Sequence, residues 1–526
     1  MAPSFRSYLA DLKKQDELIE IAKPTDPRDI AALAAQSEKA LLFKNVVGYS
    51  MPVVSGLLQS RSRIAIGMGV AYEKIEAKLR GAMDHPIKPT RVRRAPVKEV
   101  ILTRNKVDLF DLPVPIFSLM DGGPMITGGV VIAEDPEYGM NAGMYRMMLK
   151  ESNLTGIDIV TPNNLRRFTE RAMQRKKPLP ISISIGVHPY EMVASTFKAN
   201  LGVNELTFAG GLRGRPLQLA DGETIPVPCI ADAEIVLEGE ILPDGWVYSE
   251  GPFCEFNRLM GGIHMNPQVR IKAIMHRKDA IYYALQMPWE NIWMSAPIYE
   301  AAARRVLNEA GVQATAINLT PGGCCHWHIV AAIKKTAGDA KNAIMALLSI
   351  ADIKHVIVTD DDIDVFDPTD VEWAVATRVQ ADRDVLIVSN ARSKPLDPSL
   401  PPPAAGKIPT TAKMGIDATI PENVPASRYN RIVYVNQGKV DLKNYLGEVG
   451  EPARGRVGAR LSETVETISE KILAALEKSH RFYAELLAMF SRVDYRTIAA
   501  AVGQLHQEGK IAQDGDGKYQ VRKQED

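Results

Sequence analysis

The chain has 526 residues, enough for three or four domains at about 150 residues each. Apolar residues make up 46% and charged residues 24%, which is the balance of a folded globular protein and excludes disorder of the whole chain. Lys plus Arg and Asp plus Glu both number 63, so the formal net charge is zero and the basic surplus of a protein that coats nucleic acid is missing.

No run of about 18 apolar residues occurs, so no membrane span is expected. The opening segment MAPSFRSYLADLKKQDELIE lacks the apolar core of a secretory signal. Cys229 and Cys254 stand alone and Cys324 and Cys325 are adjacent, so there is no C-x-x-C pair; reduced thiols and a cytoplasmic location are expected.

In chain order, residues 1–100 alternate helical patterns (FRSYLADLKK, PRDIAALAAQSEKA, AYEKIEAKLRGAM) with short apolar strands (ALLFKN, PVVSGLL), which predicts an α/β domain. HPIKPTRVRRAPVKEV, rich in Pro and basic residues, reads as a linker or edge strand. Over 101–290, β-branched strands recur (PISISIGV, TIPVPCI, AEIVLEGEIL, QVRIKAIMHR) between Gly and Pro, which predicts a sheet-rich or barrel domain. APIYEAAARRVLNEAG predicts a helix within 291–312, with Ile298, Ala302, Val306 and Ala310 as its apolar stripe and Gly311 as its cap. Residues 313–455 return to α/β alternation: HWHIVAAIKK and HVIVTDDDIDVFD as strands, GDAKNAIMALLSI as a helix, then the Pro-rich excursion SKPLDPSLPPPAAGKIPTTAKMG. Residues 456–526 predict helices FYAELLAMFSR and YRTIAAAVGQLHQEGK followed by an Asp-Gly hairpin, the outline of a winged-helix-like appendage. Few basic residues lie on the second helix, so packing or assembly is the plainer use and no nucleic-acid partner is expected.

Three constellations in 101–290 carry chemistry. In GMNAGMYRMM, small residues between Asn141 and Arg146 let the backbone approach a ligand, and Arg146 can pair with a carboxylate. In NELTFAGGLRG, Glu205 can bind a hard cation. In SEGPFCEF, a Gly-Pro turn between Glu250 and Glu255 can bring two carboxylates into one pocket, where like charges raise one proton affinity and leave one acid and one anion. Taken singly, each has a plain reading as a surface ion pair or solvated loop acid.

Together with FRSYLADLKKQDELIEI, LPVPIFSLMDGGPMIT and TAKMGID, these segments resemble the UbiD family of reversible decarboxylases that use prenylated flavin mononucleotide, over roughly residues 5 to 450. The resemblance implies an α/β multidomain fold: an N-terminal α/β domain, a central split β-barrel related to flavin reductases, a linker helix and a C-terminal α/β domain, with the appendage outside it. It implies that Asn141, Ala142, Gly143, Met144, Tyr145 and Arg146 line the cofactor and that Asn163 contacts it. Asn141 and Glu205 would ligate a divalent cation, Mn²⁺ or Mg²⁺, on the cofactor phosphate, and Lys413 would contact that phosphate. Ala194, Ser195 and Phe197 would hold K⁺, partly through carbonyls. Arg146, Glu250 and Glu255 would form the catalytic network, with Glu255 as proton donor. Where the family has a third metal ligand, usually His, this chain has Asn164, an amide that either ligates weakly or serves as the N-cap of the helix LRRFTERAM.

Other features are discounted. Asp360–Asp364 imitates a calcium loop, but Val365 and Val371 stand where Gly and Glu are needed. His326 and His328 read as structural histidines. Phe253, Trp293, Trp327 and His328 are candidates for the substrate wall. The resulting expectation is a decarboxylase of an aromatic or heteroaromatic acid, free or as a thioester, supplied with cofactor by a flavin prenyltransferase and assembled as a homo-oligomer, dimer or hexamer. The alternatives are a non-catalytic flavin or phosphate-ligand sensor with a nucleic-acid-binding C-terminal unit, and a degenerate paralogue serving assembly.

Overall fold

The computed structural model describes residues 3–160, 162–197, 199–394, 396–401, 409–445 and 463–522. It forms two compact units, Met1–Val424 and Pro425–Asp526. The architecture is mixed α/β, and among the described residues no helix is long and apolar enough to cross a membrane.

The first unit begins with the helix Phe5–Lys14, started by a capping box at Ser4 and burying Phe5, Tyr8, Leu9 and Leu12 on one face. It covers a four-stranded sheet in the order Leu18–Ile21, Ala40–Phe43, Val53–Ser55, Tyr282–Ala284. The last strand arrives from far along the chain and pairs in parallel, Tyr282 opposite Val53. The expected boundary at residue 100 is therefore crossed: the middle segment returns to complete the N-terminal sheet.

The middle segment builds an antiparallel sheet in the order Leu154–Gly156, Gln268–His276, Ile235–Ile241, Leu179–Ile185, Gly129–Asp135, Gly139–Met144, with Val100–Thr103 also paired to Gln268–His276. Among the described residues the ladder does not close into a barrel, since no pair joins its two end strands. In TIPVPCI only Cys229–Ile230 is paired as a strand. Pro226 and Pro228 lack the N–H that a longer ladder would need. HPIKPTRVRRAPVKEV supplies the edge strand Thr90–Val92.

The helix Trp289–Glu309 starts well before the APIYEAAARRVLNEAG pattern and includes Pro297. The stripe it buries is Ile292, Ala296, Glu300, Ala303 and Leu307. The expected stripe is not the core face: Ile298, Ala302 and Val306 are half-buried and Ala310 is exposed. A different face is buried because the helix packs both on the helices Arg61–Met68 and Ile75–Asp84 and on the strand Ala314–Leu319. That sheet runs Ala314–Leu319, His328–Ile333, His355–Asp360, Thr410–Ala418, Val385–Arg392, with its three central strands parallel. The acidic loop after His355–Asp360 holds a protein cation: the buried Arg378 pairs with Asp360 at 3.2 Å and Asp362 at 2.6 Å. Much of the Pro-rich excursion, 402–408, lies outside the described residues.

In the second unit, helices Val465–Lys478, Tyr483–Met489 and Tyr495–Gln507 precede a hairpin of Ile511–Gln513 and Tyr519–Val521. Ile468, Ile472, Leu476, Leu486, Ile498, Val502 and Leu505 form its own core. Residues 446–462, where the appendage was expected to begin, lie outside the described residues.

Candidate active site

The strand Gly139–Met144 carries Asn141, Ala142 and Gly143 buried, and the chain then leaves the sheet at Tyr145 and Arg146. The Arg146 guanidinium, 11% exposed, faces a carboxylate at each nitrogen. Nε lies 3.3 Å from Glu250 Oε1, Nη1 2.5 Å from Glu255 Oε1 and Nη2 2.7 Å from Asp158 Oδ2. The Phe253 ring lies under the guanidinium, 5.1 Å from its carbon. The two glutamates converge because the chain folds back at Gly251-Pro252. Gly251 has φ +101°, and a Cβ on the facing Gly122 would collide with the Gly251 carbonyl.

Glu250 is fully buried at the end of the strand Tyr248–Glu250, and Asn266 Nδ2 donates to its Oε2 at 2.9 Å. Burial pushes its carboxyl up to about 7; Asp158 adds to this, while Arg146 and Asn266 pull the other way. Burial opposes the charge on Arg146, but Asp158, Glu255 and Glu250 more than offset it and raise its proton affinity. The nearby Asp121 accepts from the Ser118 N–H at 2.8 Å and the Phe117 N–H at 3.1 Å, and burial raises its carboxyl. Asp158, Asn266 and Asp121 were not singled out from the sequence. For Asp158 the signal was there in GIDIV, where an ionisable side chain interrupts an apolar run.

A second cluster lies at the other end of the same strand. Asn141 Nδ2 donates to Glu205 Oε1 and the Ala142 N–H to Glu205 Oε2, both at 2.8 Å. Glu205 starts the helix Glu205–Arg213 and is 2% exposed; burial pushes its carboxyl up to about 7, which these donors only partly offset. Among the described residues, Asn141 Oδ1 and Ser195 Oγ are buried without a hydrogen-bond partner. Asn163, rather than Asn164, caps the helix Asn164–Gln174, its Oδ1 accepting from the Arg166 N–H at 2.9 Å and lying 3.4 Å from the Tyr145 hydroxyl. Asn164 Nδ2 donates to the Ala199 carbonyl at 3.2 Å. Ala194 and Ser195 end the helix Pro189–Thr196 and Phe197 caps it; the Ala194 carbonyl accepts from the Phe197 N–H. Among the described residues, no three His, Cys, Asp or Glu side chains group as a metal site. The donors present fit a hard cation instead: one anionic carboxylate, and amide and hydroxyl oxygens left unpaired in a buried place.

Lys413 lies apart, in the strand Thr410–Ala418, where its ammonium donates to the carbonyls of Leu348 and Ile350 at 2.8 Å and of Ala351 at 3.3 Å. It closes the C-terminal end of the helix Asp339–Leu348, a use of lysine that favours the helix dipole.

A cleft of about 180 Å³ opens at the Arg146 edge, lined by Thr127, Met144, Phe253, Leu285, Met287 and Met294 around Arg146, Asp158 and Glu255. Of the wall residues expected from sequence, Phe253 lines it. Trp327 packs on Phe256 and His328 on His355, in the C-terminal sheet region, while Trp293 lies near Arg61.

The fold is shared with known proteins. Residues 9–83, 88–288 and 292–418 match the N-terminal, Rift-related and C-terminal domains of 3-octaprenyl-4-hydroxybenzoate carboxy-lyase, the UbiD domains. The chain is 36% identical to an anhydromevalonate phosphate decarboxylase of Methanosarcina mazei over 79% of this chain and 96% of that one. It is 31% identical to a gallate decarboxylase of Lactiplantibacillus plantarum over 73% and 85%. The UbiD-class enzyme HmfF of Pelotomaculum thermopropionicum, solved with FMN, superposes with a TM-score of 0.80 at 40% identity, covering 84% of this chain and all of that one. An evolved dimeric form of HmfF, solved with prenylated FMN, gives 0.77 at 38% identity, covering 85% and 100%. A buried arginine ringed by acids beside a carboxylate-and-amide cradle thus sits on the fold of a carboxy-lyase. The chain belongs to the UbiD family of decarboxylases.

Proposed function

We propose that this decarboxylase acts on an aromatic or heteroaromatic carboxylic acid, free or as a thioester, with prenylated FMN as cofactor. The observation that carries the substrate class is the cleft. Its wall combines thioether, aliphatic and aromatic groups with the polar side chains of Thr127, Tyr145 and Asn291, and among its described lining residues the one cation, Arg146, already faces three carboxylates. A flat aromatic acid suits that mixed wall, whereas a phosphorylated aliphatic acid would need a free cation.

Asn141 to Arg146, Asn163 and Glu205 would hold the cofactor, Asn141 and Glu205 through Mn²⁺ or Mg²⁺ on its phosphate, with Asn164 beside them. Ala194, Ser195 and Phe197 would hold K⁺. The buried unpaired oxygens of Asn141 and Ser195 support this set. Lys413 is left out, because three carbonyls already satisfy its ammonium. When bound, prenylated FMN would supply the electron sink that loss of CO₂ from an sp² carbon requires and that side chains lack. The chain's own residues do the rest. Arg146 orders the acids, the buried Glu250 retains a proton near neutrality, and Glu255, at the cleft, delivers a proton to the substrate carbon. A split-barrel relation for the open middle sheet, a winged-helix relation for the last unit, a flavin prenyltransferase as cofactor supplier and a dimeric or hexameric assembly complete the proposal. The sensor reading is not favoured, because a sensor has no use for paired acids on one guanidinium.

The test is production with a flavin prenyltransferase, an absorbance and mass spectrum of the bound cofactor, and a CO₂-release screen. Turnover of aromatic acids and not of a phosphorylated alkenoic acid is expected; the reverse pattern overturns the substrate class. A gel shift at physiological salt should show no DNA binding.

A further inference from the structure

Asp158 follows the strand Leu154–Gly156 and has no part in the proton path described above. It is nevertheless built into the site on three sides. Its backbone N–H donates to the Arg146 carbonyl at 3.1 Å, its Oδ1 accepts from the Val160 N–H at 3.2 Å, and its Oδ2 lies 2.7 Å from Arg146 Nη2. Glu250 is likewise held by a second bond, from Asn266, while Asp158 and Glu255 both line the cleft. The guanidinium therefore donates to Glu250 through Nε and to Glu255 through Nη1, and Asp158, itself fixed by its two backbone contacts, sits against Nη2 as an ion pair.

Three carboxylates and one guanidinium sum to two net negative charges when all are ionised. Like charges held in a buried place resist full ionisation, so such a group keeps a proton that an isolated acid would release. The other groups facing it do not cancel that excess. Asp121 comes from the loop before Gly122, the Cys254 thiol from the Gly251-Pro252 turn, and the Tyr248 hydroxyl from the strand that carries Glu250. Lys150 lies over the Tyr248 ring, 4.6 Å away, with Glu151 next to it.

We infer that Asp158 is a positioning residue, a third carboxylate that holds the Nη2 end of the Arg146 guanidinium by charge and keeps one proton stored among the acids around it. The catalytic use of that proton rests on the decarboxylation proposed above, but the stored proton is measurable without it.

The experiment is infrared difference spectroscopy of cofactor-free protein titrated between about pH 5 and about pH 9. Glu250→Gln protein serves as the blank that removes Glu205 and Glu300, which titrate in the same range. A protonated-carboxyl band with a midpoint near neutrality is expected in the wild type. In Asp158→Asn the midpoint should fall by about one pH unit, a roughly tenfold loss of proton affinity. Asp158→Ser should do the same and substitutes for it if the amide variant does not fold. An unchanged midpoint in a folded variant, or no Glu250-dependent band in the wild type, overturns the inference. Failure of every acid to release CO₂ would count against the proposed function alone, because the titration needs no turnover.

Discussion

Glu290, fully buried at the start of the helix Trp289–Glu309, accepts a 2.8 Å hydrogen bond from the hydroxyl of Tyr283 in the strand just before it. The same carboxylate also accepts from the N–H groups of Gly56 at 2.9 Å, Leu58 at 2.7 Å and Gln286 at 2.5 Å. One side chain thus ties the returning strand, the N-terminal sheet and the long helix together. Replacing it with Ala leaves four buried donors without a partner, so Glu290→Ala should lose about 3–5 kcal/mol in urea unfolding, and Tyr283→Phe about 1 kcal/mol. A loss under 1 kcal/mol for Glu290→Ala would show that the tie is dispensable.

Glu250 sets a pH dependence of stability. An ordinary glutamate carboxyl titrates near 4.5, and burial raises this one to about 7. Between those values the folded state binds the extra proton. Stability from this group is therefore full below about pH 4.5 and falls as pH rises to 7, by roughly 3 kcal/mol. The difference between wild-type and Glu250→Gln stability curves should carry that slope; parallel curves would contradict it.

Arg146 faces carboxylates with three nitrogens in one plane, a geometry that an ammonium does not reproduce. Arg146→Lys should therefore lower kcat by roughly 100-fold or more while the protein stays folded. Single-turnover kinetics on loaded enzyme, with circular dichroism as the folding control, measure this, and near-normal turnover would remove the fork from the mechanism.

Among the described residues, Glu205 is the one carboxyl group in the second cluster. Glu205→Gln should abolish bound divalent metal and lower flavin retention, while Asn164→Ala, with its amide turned to the Ala199 carbonyl, should lower metal content only partly. Elemental analysis of purified holo-protein reads both. Full metal content in Glu205→Gln would place the cation elsewhere.

Local chemistry was legible wherever it repeated along the chain. Phe5–Lys14 and Ile235–Ile241 lie within their predicted segments, and Leu179–Ile185 starts one residue before its own, because capping, alternation and β-branching all act within a few residues. Glu250 and Glu255 could be paired because a Gly-Pro turn is written between them. Asp158 could not be paired with Arg146, since nothing local says that the Val160 N–H holds an acid against a loop residue twelve positions earlier. The return of Tyr282–Ala284 to Val53–Ser55 was hidden for the same reason. The cap at Asn163 rather than Asn164 turned on a single residue of register, which two adjacent asparagines leave undecided from composition.

That returning strand also constrains how the protein can be cut. A fragment ending near residue 100 would leave Val53–Ser55 as a bare, apolar edge, open to pairing with any neighbouring chain. Such a truncation should aggregate when expressed alone and regain solubility when a peptide spanning 278–290 is supplied, so the N-terminal lobe is made from both ends of a long stretch of polypeptide and matures only after that stretch is synthesised.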